Sequence, residues 1–424
     1  HHPHRAVRGG EGPLLSHGQH PSWRKNLFAV TAATFIGFTG FTLVMPFLPL
    51  YFQQLGVTDI GEIALWSGLS LGVTPAVTAV MSPFWGRLAD RVGRKIMIER
   101  SLASFIVVMA AMAFVTEAWH VFALRALQGL FAGYGALALT MAADAAPRER
   151  MAFAIGTVQT AQRVGPALGP VIGGTVAQIV GLRNAFLVTA GFYVVALILV
   201  FTMYHERRAR PPSATPPEQR ITFRNVLALE NFVLLIAVVF GLQFVDRSFG
   251  PVLPLYVAEL GTPVDRIPIL SGILFSISAG AGAIGNHLAR GLLSRATAKT
   301  VIAGSATLSA VGTLTYLFAG GTGVLMAGTA IFGLGIGAAS TAAYTAAGAV
   351  IPAEARGAGF GLLSTGSLIG LATSPIICGL LGTLNLRAVF VLDTIALLFV
   401  AGLVRRLMAM APAPTTSAPA TEEV

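Results

Sequence analysis

Cysteine is all but missing from this chain: Cys378 is the sole thiol among 424 residues, which excludes an intrachain disulfide and leaves no basis for a thiol-ligated metal. Charge is scarce as well. Only 11% of the residues are Asp, Glu, Lys or Arg, where a soluble domain carries about 25%, and 54% are hydrophobic. No Gly-x-x-x-x-Gly-Lys-Ser/Thr run occurs, so a loop that cradles a nucleotide is excluded as the energy source. Acids are the rarer sign, 18 against 28 basic residues, for a net charge of +10. In a soluble protein that surplus points to nucleic acid. Here the basic residues sit in short connectors between apolar runs, so it reads as membrane topology and no nucleic-acid partner is expected. The chain is a polytopic membrane protein.

A helix crossing about 30 Å of hydrocarbon needs about 20 apolar residues. Twelve such spans are expected at 27–51, 63–84, 96–115, 119–143, 152–178, 184–204, 228–257, 269–288, 300–319, 323–346, 357–383 and 388–404. Residues 1–26 read as a disordered cytoplasmic tail, 205–227 as a Pro- and Arg-rich cytoplasmic linker, and 406–424 as a second disordered tail. His1, His2, His4, His17 and His20 lie in the first tail, read as a polar tail or tag rather than a metal site. With the N-terminus inside, only Arg183, Arg266 and Arg387 fall outside, and only Arg125, Arg163 and Arg247 fall within spans. Both termini are therefore expected in the cytoplasm.

The sequence Pro46-Phe47-Leu48-Pro49-Leu50-Tyr51 returns as Pro251-Val252-Leu253-Pro254-Leu255-Tyr256, and Gly165, Pro170 and Gly174 return as Gly370, Pro375 and Gly379. That offset spans an even number of helices. Two six-helix bundles, 27–204 and 228–405, are expected, related by a parallel pseudo-twofold axis along the membrane normal.

Residues 86–95, Gly-Arg-Leu-Ala-Asp-Arg-Val-Gly-Arg-Lys, form a basic connector that hydrocarbon cannot accept; Gly86 and Gly93 are expected to give backbone freedom for a tight turn. In span five, Gly156, Gly165, Gly169, Pro170, Gly173 and Gly174 permit close helix approach and a kink, serving either a moving gate or a fixed, tightly packed helix pair. On these residues the chain resembles the major facilitator superfamily. Gly86, Asp90, Arg91, Gly93, Arg94 and Lys95 match its loop signature, and the span-five pattern matches the motif of the twelve-span drug:proton antiporters; Arg125, Gln128 and Gly129 resemble a shorter third signature. The resemblance implies an all-α membrane fold and a proton-coupled exporter of lipophilic small molecules in a bacterial inner (plasma) membrane. No enzymatic activity and no cofactor are implied, and a monomer is expected. The alternative is a transporter of the same fold with a narrow physiological substrate, such as a metabolite or lipid.

A cytoplasmic latch is expected from Asp90 and the loop arginines with Asp144, which closes span four, and Arg356, which begins span eleven. The other reading of that loop is a solvated charge run that only fixes topology. The equivalent second-half loop has Ser294 in place of Asp90. Among intramembrane charges, Asp246 is the candidate proton carrier, with Arg125, Arg163 and Arg247 setting its environment; a structural ion pair and a cation-binding role are the alternatives. Adjacent helical residues project about 100° apart, so Asp246 and Arg247 are expected to have separate partners. Asp393 is expected near the outer surface in a structural role. Span one has no ionisable residue, unlike several drug exporters of this family. Its stripe of Phe35, Phe38, Thr42 and Met45, with Gln243 and Phe249 of span seven, is the expected cavity wall, with core packing as the alternative for the span-one stripe.

Overall fold

The computed structural model describes residues 23–206, 223–352 and 356–409, and within them there is no strand. The helices are α1 (Trp23–Leu43), α2 (Leu48–Gln54), α3 (Ile60–Val92), α4 (Arg94–Met112), α5 (Ala118–Phe131), α6 (Tyr134–Ala145), α7 (Met151–Val180), α8 (Leu182–Met203), α9 (Phe223–Leu227), α10 (Phe232–Arg247), α11 (Leu253–Glu259), α12 (Ile267–Leu293), α13 (Ala298–Leu317), α14 (Thr322–Val350), α15 (Arg356–Gly382) and α16 (Leu386–Leu407). Eight of them, α1, α3, α8, α12, α13, α14, α15 and α16, carry a stretch long and apolar enough to cross a membrane. Residues 1–22, 207–222 and 410–424, most of the expected tails and linker, lie outside the described residues, while 23–26 already belong to α1.

Three expected spans are broken rather than continuous, each for a local reason. Span one divides into α1 and α2 because Pro46 has no amide to continue the ladder, and Pro49 starts the next helix. Span seven divides the same way into α10 and α11 around Pro251 and Pro254. Span four divides at Gly133, whose φ of +107° is left-handed. A break exposes backbone carbonyls that lipid cannot satisfy, and side chains take them up. Thr78 Oγ1 donates to Gly129 O at 3.2 Å, Trp85 Nε1 to Leu130 O at 2.6 Å, and Ser101 Oγ to Phe131 O at 2.7 Å.

The basic connector differs from the expected turn. Helix α3 runs on through Gly86 to Val92, since its charged residues are good helix formers once in water. Only Gly93, at φ +112°, makes the turn.

The repeat is visible in the contacts. Tyr51 Oη donates to Met112 O at 2.5 Å, and Tyr256 Oη to Tyr316 O. Lys95 Nζ reaches Tyr204 O at 2.7 Å and Lys299 Nζ reaches Met408 O at 3.0 Å. Asn26 clasps the backbone of His205 by both its donor and its acceptor, at 2.9 and 3.0 Å, and Asn231 clasps Ala409 at 3.2 and 3.0 Å. Arg183 lies 5.8 Å from the Tyr51 ring, and Arg387 lies 5.9 Å from that of Tyr256. Each partner recurs 204 or 205 positions on, so one scaffold is built twice.

A candidate substrate cavity between the halves

Two helix pairs make most of the contact between the first half and the second, α3 with α15 and α7 with α12, and α2 also touches α11. Glycines set their spacing at one end. A Cβ on Gly379 would lie 2.5 Å from Ala64 O and 2.9 Å from Gly68 Cα, and one on Gly68 would lie 2.8 Å from Gly379 Cα. A Cβ on Gly174 would lie 2.8 Å from Pro268 C, and one on Gly272 would lie 2.9 Å from Pro170 C. The pairs exchange under the repeat: Gly379 meets Ala64 as Gly174 meets Pro268, and Gly68 meets Pro375 as Gly272 meets Pro170. Backbone against backbone is the closest approach helices make. The Val171 amide adds a bond to Ser276 Oγ at 3.2 Å. At the opposite end, beside the basic connector, Gly86, Gly156, Gly291 and Gly361 have nothing within 4 Å of where a Cβ would stand.

Between these ends lies a cavity of about 410 Å³. Of the expected wall, Thr42, Met45, Gln243 and Phe249 line it, as do Arg163, Asp246, Arg247 and Pro170. Phe35 and Phe38 do not: the Phe35 carbonyl lies under Gly165, and the Phe38 ring packs edge-on against Tyr134, centroids 5.9 Å apart. Sequence reasoning passed over Gln162, Asn286 and Ser340, which also line it. Ser278, Gly282 and Asn286 share one face of α12 at a spacing of four, a polar and small stripe that was there to be read.

Asp246 and Arg247 pair with each other, Oδ2 to Nε at 3.4 Å, which corrects the expectation of separate partners. The helix ends at Arg247, so this long side chain can fold back along a terminus where no further turn blocks it. Both side chains keep about 30% of their exposure, 28% for Asp246 and 32% for Arg247, so the pair faces the cavity rather than the protein interior. Ser248, the next residue, points the other way and donates Oγ to Asp393 Oδ2 at 2.6 Å. Asp393 is fully buried, and its Oδ1 has no hydrogen-bond partner among the described residues. Arg125 is 1% exposed and lines a smaller adjoining cavity with Arg247.

The span-five residues divide by face. Gly165, Gly169 and Gly173 pack on α1 at Phe35, Thr39 and Leu43, within the first half, as Gly370 packs on Phe240 and Phe244 of α10. Gly174 and Pro170 make the contact between halves, and a Cβ on Gly156 would meet nothing within 4 Å among the described residues. Of the expected latch, Arg94 is ion-paired to Asp144 and Arg91 is exposed without an ion pair among the described residues. The backbone amide of Arg94 is held by Glu206 at 2.7 Å. The side chains of Asp90 and Arg356 lie outside the described residues. Among the described residues no cluster of three His, Cys, Asp or Glu side chains could hold a metal.

The family model of the Major Facilitator Superfamily matches residues 30–299 and 271–424. The chain is 38% identical over 260 residues to the multidrug resistance protein MdtG of Salmonella dublin, a match covering 60% of this chain and 63% of that one. With the MdtG of Rahnella sp. it shares 36% over 258 residues, 60% of this chain and 62% of that protein. The matched part is thus under two thirds of the length of these curated relatives. Among solved structures, a bacterial homologue of the human lysosomal transporter Spinster, inward-facing and unoccupied, superposes with a TM-score of 0.76 at 18% identity, covering 93% of this chain and 100% of that one. The human organic anion transporter MFSD10 (TETRAN) superposes at 0.62 and 16% identity, covering 91% and 100%. A matched family model over nearly the whole chain, on an all-helical fold with duplicated contacts, places this protein in the Major Facilitator Superfamily.

Proposed function

We propose that this chain is a proton-coupled exporter of lipophilic small molecules working by alternating access, a transporter and not an enzyme. It crosses the bilayer twelve times, counting α1 with α2, α5 with α6, and α10 with α11 as single broken spans, and both termini are cytoplasmic. The observation that carries the reading is an Asp246–Arg247 pair open to a cavity that lies between two halves in contact at one end. With the basic connectors inside, the glycine contacts close the outer end and the cavity faces the cytoplasm. Efflux also fits the names of the MdtG relatives.

In this scheme Asp246 exchanges protonation for substrate. A proton on Asp246 releases Arg247, and substrate entering the cavity alters the water and charge around both. One proton moving down 100 mV gains about 2.3 kcal/mol, enough for a substrate ratio of about fifty. The test is substrate-dependent proton flux in proteoliposomes across a chemically diverse panel, with Asp246→Asn alongside. Because the pair is about 30% exposed, loss of the carboxylate leaves a solvated cation and the variant should fold. Downhill exchange should survive and uphill export should vanish. A folded Asp246→Asn protein that still concentrates substrate against its gradient would sink the assignment.

A further inference from the structure

The smaller cavity, about 30 Å³, joins Arg125 of α5 to Arg247 of α10 across the boundary between the halves. Its other walls are apolar, among them Phe41, Leu71, Pro75 and Pro375. Arg125 is 1% exposed, yet its hydrogen-bond partners are neutral: Nε donates to Ser70 O at 3.2 Å and Nη1 to Gln128 Oε1 at 2.6 Å. The Phe41 ring lies 5.4 Å away, and no carboxylate among the described residues is within ion-pair distance of it. Arg247 is only loosely satisfied by Asp246, since its buried Nε makes no hydrogen bond among the described residues.

We propose that a monovalent anionic group, either a free halide or the anionic head of an organic molecule, binds in this cavity between Arg125 and Arg247. Two arginines lining one apolar space repel each other, and a single anion between them turns that repulsion into two attractions. Guanidinium forks suit such a ligand better than ammonium groups because they present several fixed donors. The volume is enough for one or two water-sized bodies and too small for a drug. The adjoining larger cavity, which shares Met45 and Arg247 with it, has room for the body of an organic molecule whose anionic head sits here. Because the two arginines come from different halves, the bound anion favours the arrangement that holds them together.

The test uses the purified full chain without any gradient, so its outcome is separate from that of the export experiment. Thermal stability is titrated with bromide against gluconate at constant ionic strength, then with benzoate, and repeated for Arg247→Gln and Arg125→Lys. Bromide should stabilise saturably, and each variant should weaken its affinity about tenfold or more. Benzoate that competes with bromide and binds more tightly assigns the site to an organic head; bromide binding without benzoate competition assigns it to a halide. No saturable stabilisation by either anion, or an unchanged affinity in a folded Arg247→Gln protein, overturns the proposal.

Discussion

Gly379→Ala should move the protein toward the state in which the glycine-lined end opens. The new methyl would stand 2.5 Å from Ala64 O and 2.9 Å from Gly68 Cα, where carbon and oxygen normally keep about 3.4 Å, so α3 and α15 must separate by roughly 0.5–1 Å at that point. The obstacle on the α3 side is backbone, which cannot rotate out of the way as a flexible side chain could. Overpacking of this kind costs about 1–3 kcal/mol, and the cost falls only on the arrangement in which these helices touch. The conformational equilibrium should therefore shift about 5- to 150-fold. The gain in helix propensity, about 0.5–1 kcal/mol, is common to both states and drops out. Paired spin labels at Thr58 and Leu384 report the closed end, and labels at Arg87 and Leu292 report the open one. The first distance should lengthen and the second shorten. Gly304→Ala is the control, because nothing lies within 4 Å of its Cβ position; it should leave both distances alone. A folded Gly379→Ala protein with the parent's distance distributions would refute the idea that backbone contact at this glycine holds the end shut.

Arg94→Ala and Asp144→Ala should each impair turnover, and the double variant should be little worse than either, since both remove one ion pair; additive losses in transport assays would show that the two residues act apart. Asn231 holds a left-handed φ of +64° while bonding both backbone groups of Ala409. Asn231→Gly, which keeps the backbone and loses two hydrogen bonds, should lower stability by about 1–2 kcal/mol, and Asn231→Ala by more because strain is added. Equal melting temperatures for the two would contradict this. Asp393→Asn retains an acceptor for Ser248 Oγ and should fold normally, whereas in Asp393→Leu the serine hydroxyl keeps only its bond to Val245 O at 2.8 Å, so the loss should be that of one hydrogen bond, about 0.5–1.5 kcal/mol; equal stability of the Leu variant would show that the buried bond contributes nothing.

The all-helical membrane class, the repeat offset and the glycine pattern were legible because each rests on composition or spacing, and both survive in a sequence. What span-five spacing could not show is which neighbour each glycine meets. Gly173 and Gly174 are adjacent, yet one packs on Leu43 of its own half and the other on Pro268 of the second, a division set by the 100° step between them. The Asp246–Arg247 pair was misjudged by that same step. The 100° argument holds for a helix interior and fails at Arg247, the last residue of α10, and the end of α10 depends on how a proline four residues later is accommodated. The full burial of Asp393 was not legible, because burial depends on which helix face meets α10 and α13, which a lone carboxylate in an apolar run does not reveal.

The repeat itself held the missing signal. Contacts that build the scaffold are kept in both halves: Asn26 with Asn231, Tyr51 with Tyr256, Lys95 with Lys299, Gly174 with Gly379. The intramembrane charges are not. At the same offsets Asp246 stands against Phe41, Arg247 against Thr42, Arg125 against Thr329, Arg163 against Leu368 and Asp393 against Thr189. A duplicated fold needs each structural contact twice, so a costly charge that appears in one half alone has no part in that duplicated scaffold. Three of these, Arg163, Asp246 and Arg247, line the main cavity; Arg125 lines the cavity adjoining it; and Asp393 lies behind the first pair through Ser248. Departure from the repeat, more than membership of any motif, marks the residues on which the proposed mechanism rests.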